Sequence, residues 1–223
     1  MTDVKICGLS TRTTMQAALE AGADYVGLMF YPPSPRNISI EEAVPLADMA
    51  RGKAKIVAVT VDADDALVGA IAKHVRPDYI QCHGSEGPER IAEIAALSGC
   101  KTIKALKIRG AEDLVDAGDY AQTAALLLYD AKVPEGFKNP LPGGNGVQFD
   151  WRLLGGQKNT NPFMLGGGID ITNVADAIAI AHPAIIDVSS GVETSPGHKD
   201  EVLIGEFVAR AKAGSASMGV DET

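Results

Sequence analysis

Cysteine is scarce in this 223-residue chain, which contains only Cys7, Cys82 and Cys100. An odd number of cysteines without a C-x-x-C pair argues against a disulfide framework and against a cysteine-rich structural zinc site. No apolar stretch approaches the roughly 20 residues that cross a bilayer, and the first residues lack the basic and apolar segments of a secretory signal. We therefore expect a cytoplasmic protein that does not enter a membrane.

Basic residues are also in deficit. The chain has 20 lysines and arginines against 29 acidic residues, which gives a formal net charge of −9 at pH 7. A chain this negative has little general attraction for nucleic acid, so no nucleic-acid partner is expected. An anionic small molecule would need a locally positive pocket, built from backbone N–H groups or from a few basic side chains.

Short apolar segments recur along the chain with helical patterns between them. Eight of them are predicted to be strands because they are brief, aliphatic and bounded by glycine, proline or polar residues. These segments are residues 4–7, 25–30, 55–61, 79–82, 102–107, 125–129, 163–165 and 185–188. Eight strands, each followed by a helix, predict an α/β fold of the single-domain (β/α)8 TIM-barrel type. An open doubly wound sheet is the alternative, although no G-x-G-x-x-G follows the first strand.

Local signals refine this prediction. Ser39 and Glu42 have the spacing of a capping box, and Asp62 is predicted to cap the helix after the third strand. Residues 1–213 are predicted to form the barrel domain and residues 214–223, which lack large apolar residues at helical spacing, a flexible C-terminal tail. The long segment 131–150 is rich in proline and glycine, which favours an active-site loop.

The ends of the predicted strands point to a site. In such barrels the active site lies at the C-terminal ends of the strands. Residues two apart in a strand share a face, so Cys7 lies on the face of Lys5 and His83 on that of Gln81. Glycine-containing runs at 166–168 and 189–191 follow the last two strands, where barrel enzymes often bind phosphate. The alternative is that these glycines only provide positive φ angles at turns.

Seven motifs occur in an order that resembles the phosphoribosylanthranilate isomerases of tryptophan biosynthesis. They are KICG at 5–8, SPR at 34–36, QCHG at 81–84, YDAK at 129–132, GGNGVQFDW at 143–151, LGGGI at 165–169 and DVSSGVETSPGHKD at 187–200. The match therefore covers nearly the whole chain. It departs from the family at Cys82, Gly166 and Asn145, where leucine, alanine and threonine are usual.

The resemblance implies a chemistry for two reacting groups. The family catalyses an Amadori rearrangement, in which N-(5′-phosphoribosyl)anthranilate becomes 1-(2-carboxyphenylamino)-1-deoxyribulose 5-phosphate, and this needs no metal or redox cofactor. By resemblance, Asp130 is the general acid that protonates the ribose ring oxygen, and Cys7 is the general base that removes the C2′ proton. Without the resemblance, Cys7 is a candidate core residue and Asp130 a candidate helix cap or turn residue.

Binding roles also follow from the resemblance. Arg36 binds the anthranilate carboxylate through its planar guanidinium, unless it is an ordinary surface arginine. Asp187 contacts the sugar and His83 lines the pocket, although a structural role is open for each. The phosphate rests on backbone N–H groups after the last two strands, at Gly167, Gly168, Ser190 and Gly191.

The general base needs electrostatic help. A free thiol has a pKa of about 8.5, so Cys7 needs a neighbouring positive charge to act as a thiolate near neutral pH. Lys5, on the same strand face, is expected to lower the pKa of Cys7.

Two other functions remain open from the sequence. The sister isomerase of histidine biosynthesis performs the same rearrangement on a bulkier substrate, but it has an aspartate where Cys7 stands. A phosphosugar-binding barrel that had lost the reaction would not need Cys7 and Asp130. The expected partner is a phosphoribosyl small molecule, and the chain is expected to be a monomer or a homodimer.

Overall fold

The computed structural model describes residues 1–120, 122–134, 141–155 and 162–217. Eight parallel strands follow one another in sequence order around a closed barrel, which confirms the predicted TIM-barrel fold. The barrel closes where β8 pairs with β1, with Lys5 opposite Asp187. The strands are β1 (Asp3–Cys7), β2 (Tyr25–Phe30), β3 (Lys55–Thr60), β4 (Tyr79–Cys82), β5 (Lys101–Ile108), β6 (Leu126–Ala131), β7 (Phe163–Leu165) and β8 (Ile185–Val188).

Helices connect most of the strands on the outside of the barrel. They are α1 (Arg12–Ala21), α2 (Ile40–Ala50), α3 (Asp65–His74), α4 (Pro88–Ser98), α5 (Arg152–Gly155), α6 (Val174–Ala181) and α7 (Glu201–Ser217). The helix that follows β5 is the 3-10 helix Ala111–Tyr120 rather than an α-helix. That segment contains three aspartates and Gly118, all poor α-helix formers. Within the described ranges, no helix has the length and apolar character needed to cross a membrane.

One of the two predicted helix caps is confirmed. Ser39 and Glu42 form a reciprocal capping box at the start of α2. The prediction for Asp62 is wrong, because α3 begins after Asp64, whose carboxylate accepts the N–H of Leu67 at 2.8 Å. Asp62 instead has a positive φ of 47° and accepts the backbone N–H of Ser85 at 2.7 Å.

The strands separate two apolar layers. The inner layer fills the barrel with side chains from alternate positions of the strands, among them Cys7, Val59, Leu128 and Ile185. Cys82 lies in an outer layer between the strands and the helices. The alternation of faces along each strand therefore places Cys7 inside the barrel and Cys82 outside it.

The last helix continues beyond the predicted end of the domain. Residues 214–217, which the sequence assigned to a tail, belong to α7. Within this stretch, the Ser215 hydroxyl accepts the backbone N–H of Thr2 at 2.6 Å, which joins the end of α7 to the start of β1. Residues 218–223 of the predicted tail lie outside the described residues.

Candidate active site

One pocket opens at the C-terminal ends of the barrel strands, where the sequence places the site. Eight of the nine predicted site residues line it, namely Cys7, Arg36, His83, Asp130, Gly167, Gly168, Asp187 and Ser190. The ninth, Gly191, forms an isolated bridge with Asp170, and a Cβ at this position would lie 2.0 Å from the carbonyl oxygen of Ile169. Gly191 is therefore placed to let two backbone segments meet.

Cys7 is the last residue of β1 and points into the barrel. Only 5% of its surface is exposed, and its Sγ packs over Gly27 of β2, where a Cβ would lie 2.9 Å away. Burial raises the pKa of the Cys7 thiol; the Lys5 ammonium lowers it, and the Asp187 carboxylate raises it again. Lys5 thus lowers the pKa of Cys7, as expected from the sequence, but burial outweighs this contribution and the net direction is upward.

This raised pKa predicts slow alkylation of Cys7 at neutral pH. We expect the rate with iodoacetamide to keep rising above pH about 8.5, where an ordinary thiol is half ionised. The measurement is the rate at the Cys7 peptide by mass spectrometry, with glutathione as the reference thiol. In a Lys5→Met variant the rise should move to still higher pH, because a charge that favours the thiolate is removed. A Cys7 rate that is already constant above pH 7 would contradict this prediction.

Lys5 lies two residues before Cys7 and is completely buried. Its Nζ donates to Oδ1 of Asp187 and to Oε1 of Gln81, both at 2.9 Å. Burial lowers the pKa of Lys5, but the charges of Asp187 and Cys7 outweigh it, and the net direction is upward. Lys5 is therefore a buried cation, and Asp187 both lines the pocket and holds that cation.

Asp130 and His83 form a buried pair across the pocket. Asp130 lies within β6, which excludes the alternative of a helix cap or turn residue. Its Oδ2 is 3.0 Å from Nε2 of His83, and its Oδ1 accepts the N–H of Ala131 at 3.0 Å. On the other side of the ring, Nδ1 of His83 is 2.9 Å from Nε2 of Gln81. The His83 ring thus contacts two side chains, one of them the candidate acid.

Arg36 is buried, with 3% of its surface exposed, so it is not a surface arginine. Its Nε and Nη2 donate to the two carboxylate oxygens of Glu193 at 2.7 and 2.8 Å. Burial raises the pKa of Glu193, but contacts with Arg36 and Lys199 outweigh it and hold this pKa below its usual range. Glu193 therefore occupies the edge of the guanidinium formed by Nε and Nη2, while the edge formed by Nη1 and Nη2 faces the backbone of Gly144. There the carbonyl oxygen of Gly144 lies 3.4 Å from Nη2.

Glu193 and Lys199 were missed as site residues, although both lie in the last motif. Lys199 donates to Glu193 at 2.5 Å and to the backbone of Ser189 at 3.0 Å. The two residues belong to a short hairpin, β9 (Glu193–Ser195) and β10 (His198–Lys199). The available signal was two opposite charges six positions apart in the last motif, but the sequence does not show that these side chains meet beside Arg36.

The described end of the long loop lies against His83 and Arg36 in the pocket. A Cβ on Gly143 would lie 2.6 Å from Nε2 of His83, and one on Gly144 would lie 2.7 Å from Nη1 of Arg36. Asn145 holds this turn closed, since its side chain accepts the N–H of Leu141 at 3.0 Å and donates to its carbonyl at 2.7 Å. The described part thus supports the predicted active-site loop, and residues 135–140 lie outside the described residues.

Comparisons with known proteins agree with this geometry. Residues 4–210 match the family model described as N-(5′-phosphoribosyl)anthranilate (PRA) isomerase. An N-(5′-phosphoribosyl)anthranilate isomerase of Rhodopseudomonas palustris (strain BisA53) is 51% identical over 211 residues, which cover 95% of this chain and 96% of that protein. The crystal structure of phosphoribosyl anthranilate isomerase from Thermotoga maritima superposes with a TM-score of 0.85 at 34% identity, covering 96% of this chain and all of the other.

A third relative carries a bound ligand. It is a phosphoribosyl anthranilate isomerase in complex with reduced 1-(o-carboxyphenylamino)-1-deoxyribulose 5-phosphate, with a TM-score of 0.83 at 32% identity. The similarity covers 96% of this chain and all of that one. With the family match spanning most of the chain and a barrel of the same shape, this protein belongs to the N-(5′-phosphoribosyl)anthranilate isomerase family.

Proposed function

We propose that this chain converts N-(5′-phosphoribosyl)anthranilate into 1-(2-carboxyphenylamino)-1-deoxyribulose 5-phosphate in tryptophan biosynthesis, with Asp130 as acid and Cys7 as base. The observation that carries the assignment of these roles is that the two side chains, from β6 and β1, line one pocket. A proton donor and a proton acceptor in the same pocket can act on two atoms of a single sugar.

The first step opens the ribose ring. Asp130 donates its proton to the ring oxygen, the bond from C1′ to this oxygen breaks, and the bonding electrons stay on the oxygen. The lone pair of the anilino nitrogen forms a double bond to C1′, which gives an iminium ion. The carboxylate left on Asp130 keeps the Ala131 N–H as a hydrogen-bond donor, and such a contact favours the ionised form.

The second step removes the C2′ proton. The iminium acidifies this carbon, the Cys7 thiolate takes the proton and becomes a thiol, and the electrons of the C–H bond flow toward nitrogen to form an enolamine. A cation developing beside the thiol favours its ionised form and acts against the upward pKa shift caused by burial. Finally C1′ gains a proton and the C2′ hydroxyl loses one, which yields the ketone.

Other residues orient the substrate. In this proposal the edge of Arg36 formed by Nη1 and Nη2 binds the anthranilate carboxylate, and Asp187 accepts a hydrogen bond from a ribose hydroxyl. The phosphate lies at Gly167, Gly168 and Ser190, which line the pocket after the last two barrel strands. Gly191 supports this region through its bridge to Asp170 rather than as a lining residue.

Gly168→Ala should weaken binding of the phosphate end. Gly168 has a φ of +64°, and a Cβ here would lie 2.6 Å from the carbonyl oxygen of Val147, so the backbone must shift. We expect KM to rise about tenfold with kcat nearly unchanged, as for a loss of about 1.4 kcal/mol of binding. Steady-state kinetics measure this.

Gly69→Ala is the matched control, because a Cβ at Gly69 on α3 meets nothing within 4 Å. This variant should keep the KM of the wild type. An unchanged KM in Gly168→Ala would contradict the assignment of Gly168 to phosphate binding.

The function is tested by a fluorescence assay on freshly generated phosphoribosylanthranilate. The purified chain should make the fluorescence of this substrate fall at a rate proportional to protein concentration. Binding without turnover would instead support the phosphosugar-binding barrel, and turnover of only the histidine-pathway substrate would support the sister isomerase. Either result would overturn the proposal.

The proposal includes a cytoplasmic location and a monomer or homodimer. All three cysteines are free thiols, and the use of Cys7 as a base suits a reducing compartment. A solved relative from Thermotoga maritima is described as a monomer generated from a dimeric isomerase. Light scattering on the purified chain distinguishes the two states.

A further inference from the structure

Gln81 joins the two halves of the candidate site. It is completely buried on β4, and its amide lies between Lys5 and His83. Its Oε1 is 2.9 Å from Nζ of Lys5, and its Nε2 is 2.9 Å from Nδ1 of His83. Nε2 of His83 is in turn 3.0 Å from Oδ2 of Asp130. A continuous hydrogen-bonded chain therefore runs through four side chains, from Lys5 through Gln81 and His83 to the proposed acid, Asp130.

The donors and acceptors along this chain have only one consistent arrangement. A lysine ammonium has donors and no acceptor, so the Gln81 atom that faces Lys5 must be the amide oxygen. The amide nitrogen of Gln81 then faces His83, and an amide nitrogen only donates. Nδ1 of His83 must therefore accept, which leaves it without a proton. The ring is neutral and carries its one proton on Nε2, facing Asp130.

We propose that Gln81 is a positioning residue: held by Lys5, it keeps His83 in the tautomer that is protonated at Nε2. This inference rests on the proposed role of Asp130 as the general acid. A ring nitrogen that donates a hydrogen bond does not accept one, so a protonated Asp130 cannot share its proton with His83. The proton of Asp130 is instead carried by Oδ1.

The position of Oδ1 makes this useful for the reaction. Asp130 lines the pocket, and both of its oxygens lie near pocket glycines: a Cβ on Gly167 would lie 3.0 Å from Oδ1, and one on Gly143 would lie 3.1 Å from Oδ2. Because His83 occupies Oδ2, Oδ1 is the oxygen left to carry the proton. A protonated carboxyl group keeps some acceptor capacity, so Oδ1 can keep a weakened contact with the Ala131 N–H while it carries the proton. After the proton has left, Nε2–H of His83 donates to the carboxylate and stabilises it. The same tautomer therefore directs the proton before transfer and stabilises the product of the transfer.

The test compares Gln81→Glu with Gln81→Met. Glutamate keeps the length and shape of glutamine, but both of its oxygens accept, so Nδ1 of His83 must become protonated to face it. Methionine keeps the length and removes both polar groups, which leaves the neutral ring free to adopt either tautomer. We expect kcat to fall about 100-fold in Gln81→Glu and about tenfold in Gln81→Met, with KM within a few-fold of wild type in both.

The second measurement reports the tautomer itself. In wild-type protein labelled with 15N-histidine, the Nδ1 resonance of His83 should lie in the range of an unprotonated ring nitrogen and Nε2 in that of a protonated one. In Gln81→Glu the Nδ1 resonance should move to the protonated range. A His83→Asn variant assigns these signals, and thermal unfolding shows whether each variant is folded.

Three outcomes would overturn the proposal. The first is a proton on Nδ1 in the wild type. The second is a kcat within about threefold of wild type in Gln81→Glu despite a changed His83 spectrum. The third is the opposite order of activities, with Gln81→Met more impaired than the isosteric Gln81→Glu, since this is what a packing role predicts. Absence of isomerisation by the wild type would instead refute the proposed function, and the nitrogen spectrum would still decide the tautomer.

Discussion

Cys7→Ala should lower kcat for phosphoribosylanthranilate isomerisation by about a thousandfold, because it removes the only proposed acceptor of the C2′ proton. Cys7 lies inside the barrel and lines the pocket, so the substitution acts at the reacting atoms. Substrate affinity should change by no more than a few-fold, since the proposed carboxylate and phosphate contacts are left in place. Stopped-flow and steady-state fluorescence assays measure the two effects separately.

Cys82→Ala is the matched control for this experiment. Cys82 is also a buried thiol, but it lies in the outer apolar layer between the strands and the helices. Its removal should reduce stability slightly and leave kcat close to that of the wild type. A Cys7→Ala enzyme that keeps more than a tenth of the wild-type kcat would contradict the assignment of Cys7 as the base.

Asp130→Asn is expected to have an effect of similar size, about a thousandfold on kcat, through the ring-opening step. Asparagine keeps the shape of the side chain and can still accept the N–H of Ala131, but it has no acidic proton to donate. Reduced 1-(o-carboxyphenylamino)-1-deoxyribulose 5-phosphate resembles the open-chain product and does not require ring opening. Its affinity, measured by calorimetry, should therefore stay within a few-fold of wild type.

Asp62→Asn is the control for loss of a carboxylate at the same end of the barrel. Asp62 follows β3 and contacts Ser85 rather than His83. This variant should keep kcat within a few-fold of wild type. Equal losses in Asp62→Asn and Asp130→Asn would show that the carboxylates act through folding or net charge, and the role of Asp130 as acid would be wrong.

The alternation of side chains between the two faces of a strand accounts for much of what the sequence predicts about the site. It correctly places Lys5 with Cys7 on the inner face of β1, and Gln81 with His83 near the end of β4. It does not show which strands meet across the barrel, because this depends on how the strands are staggered when the sheet closes. The contacts of Lys5 with Gln81 and of His83 with Asp130 were therefore not predicted.

The direction of the Cys7 pKa shift and the ion-pair partner of Arg36 could not be predicted from the sequence. The sequence shows that Lys5 is near Cys7 but not how completely the thiol is covered, and burial decides the direction of its pKa shift. The same limit applies to Arg36, whose partner Glu193 comes from a hairpin far along the chain. Asp62 was predicted as a cap because its residue type fits, whereas its positive φ turns the backbone away from the helix start. The catalytic and binding roles themselves remain predictions until the variants are measured.

The pairing of Lys5 with Asp187 across the seam of the barrel has a consequence for synthesis of the chain on the ribosome. Lys5 belongs to the first strand of the barrel and Asp187 to the eighth, so the lysine has no counterion until nearly the whole polypeptide has been made. An unpaired buried charge is strongly unfavourable, which should keep the amino-terminal strand from settling early into a half-formed barrel. The ion pair of Lys5 with Asp187 and the complete site around Cys7 would then form together, when the eighth strand pairs with the first.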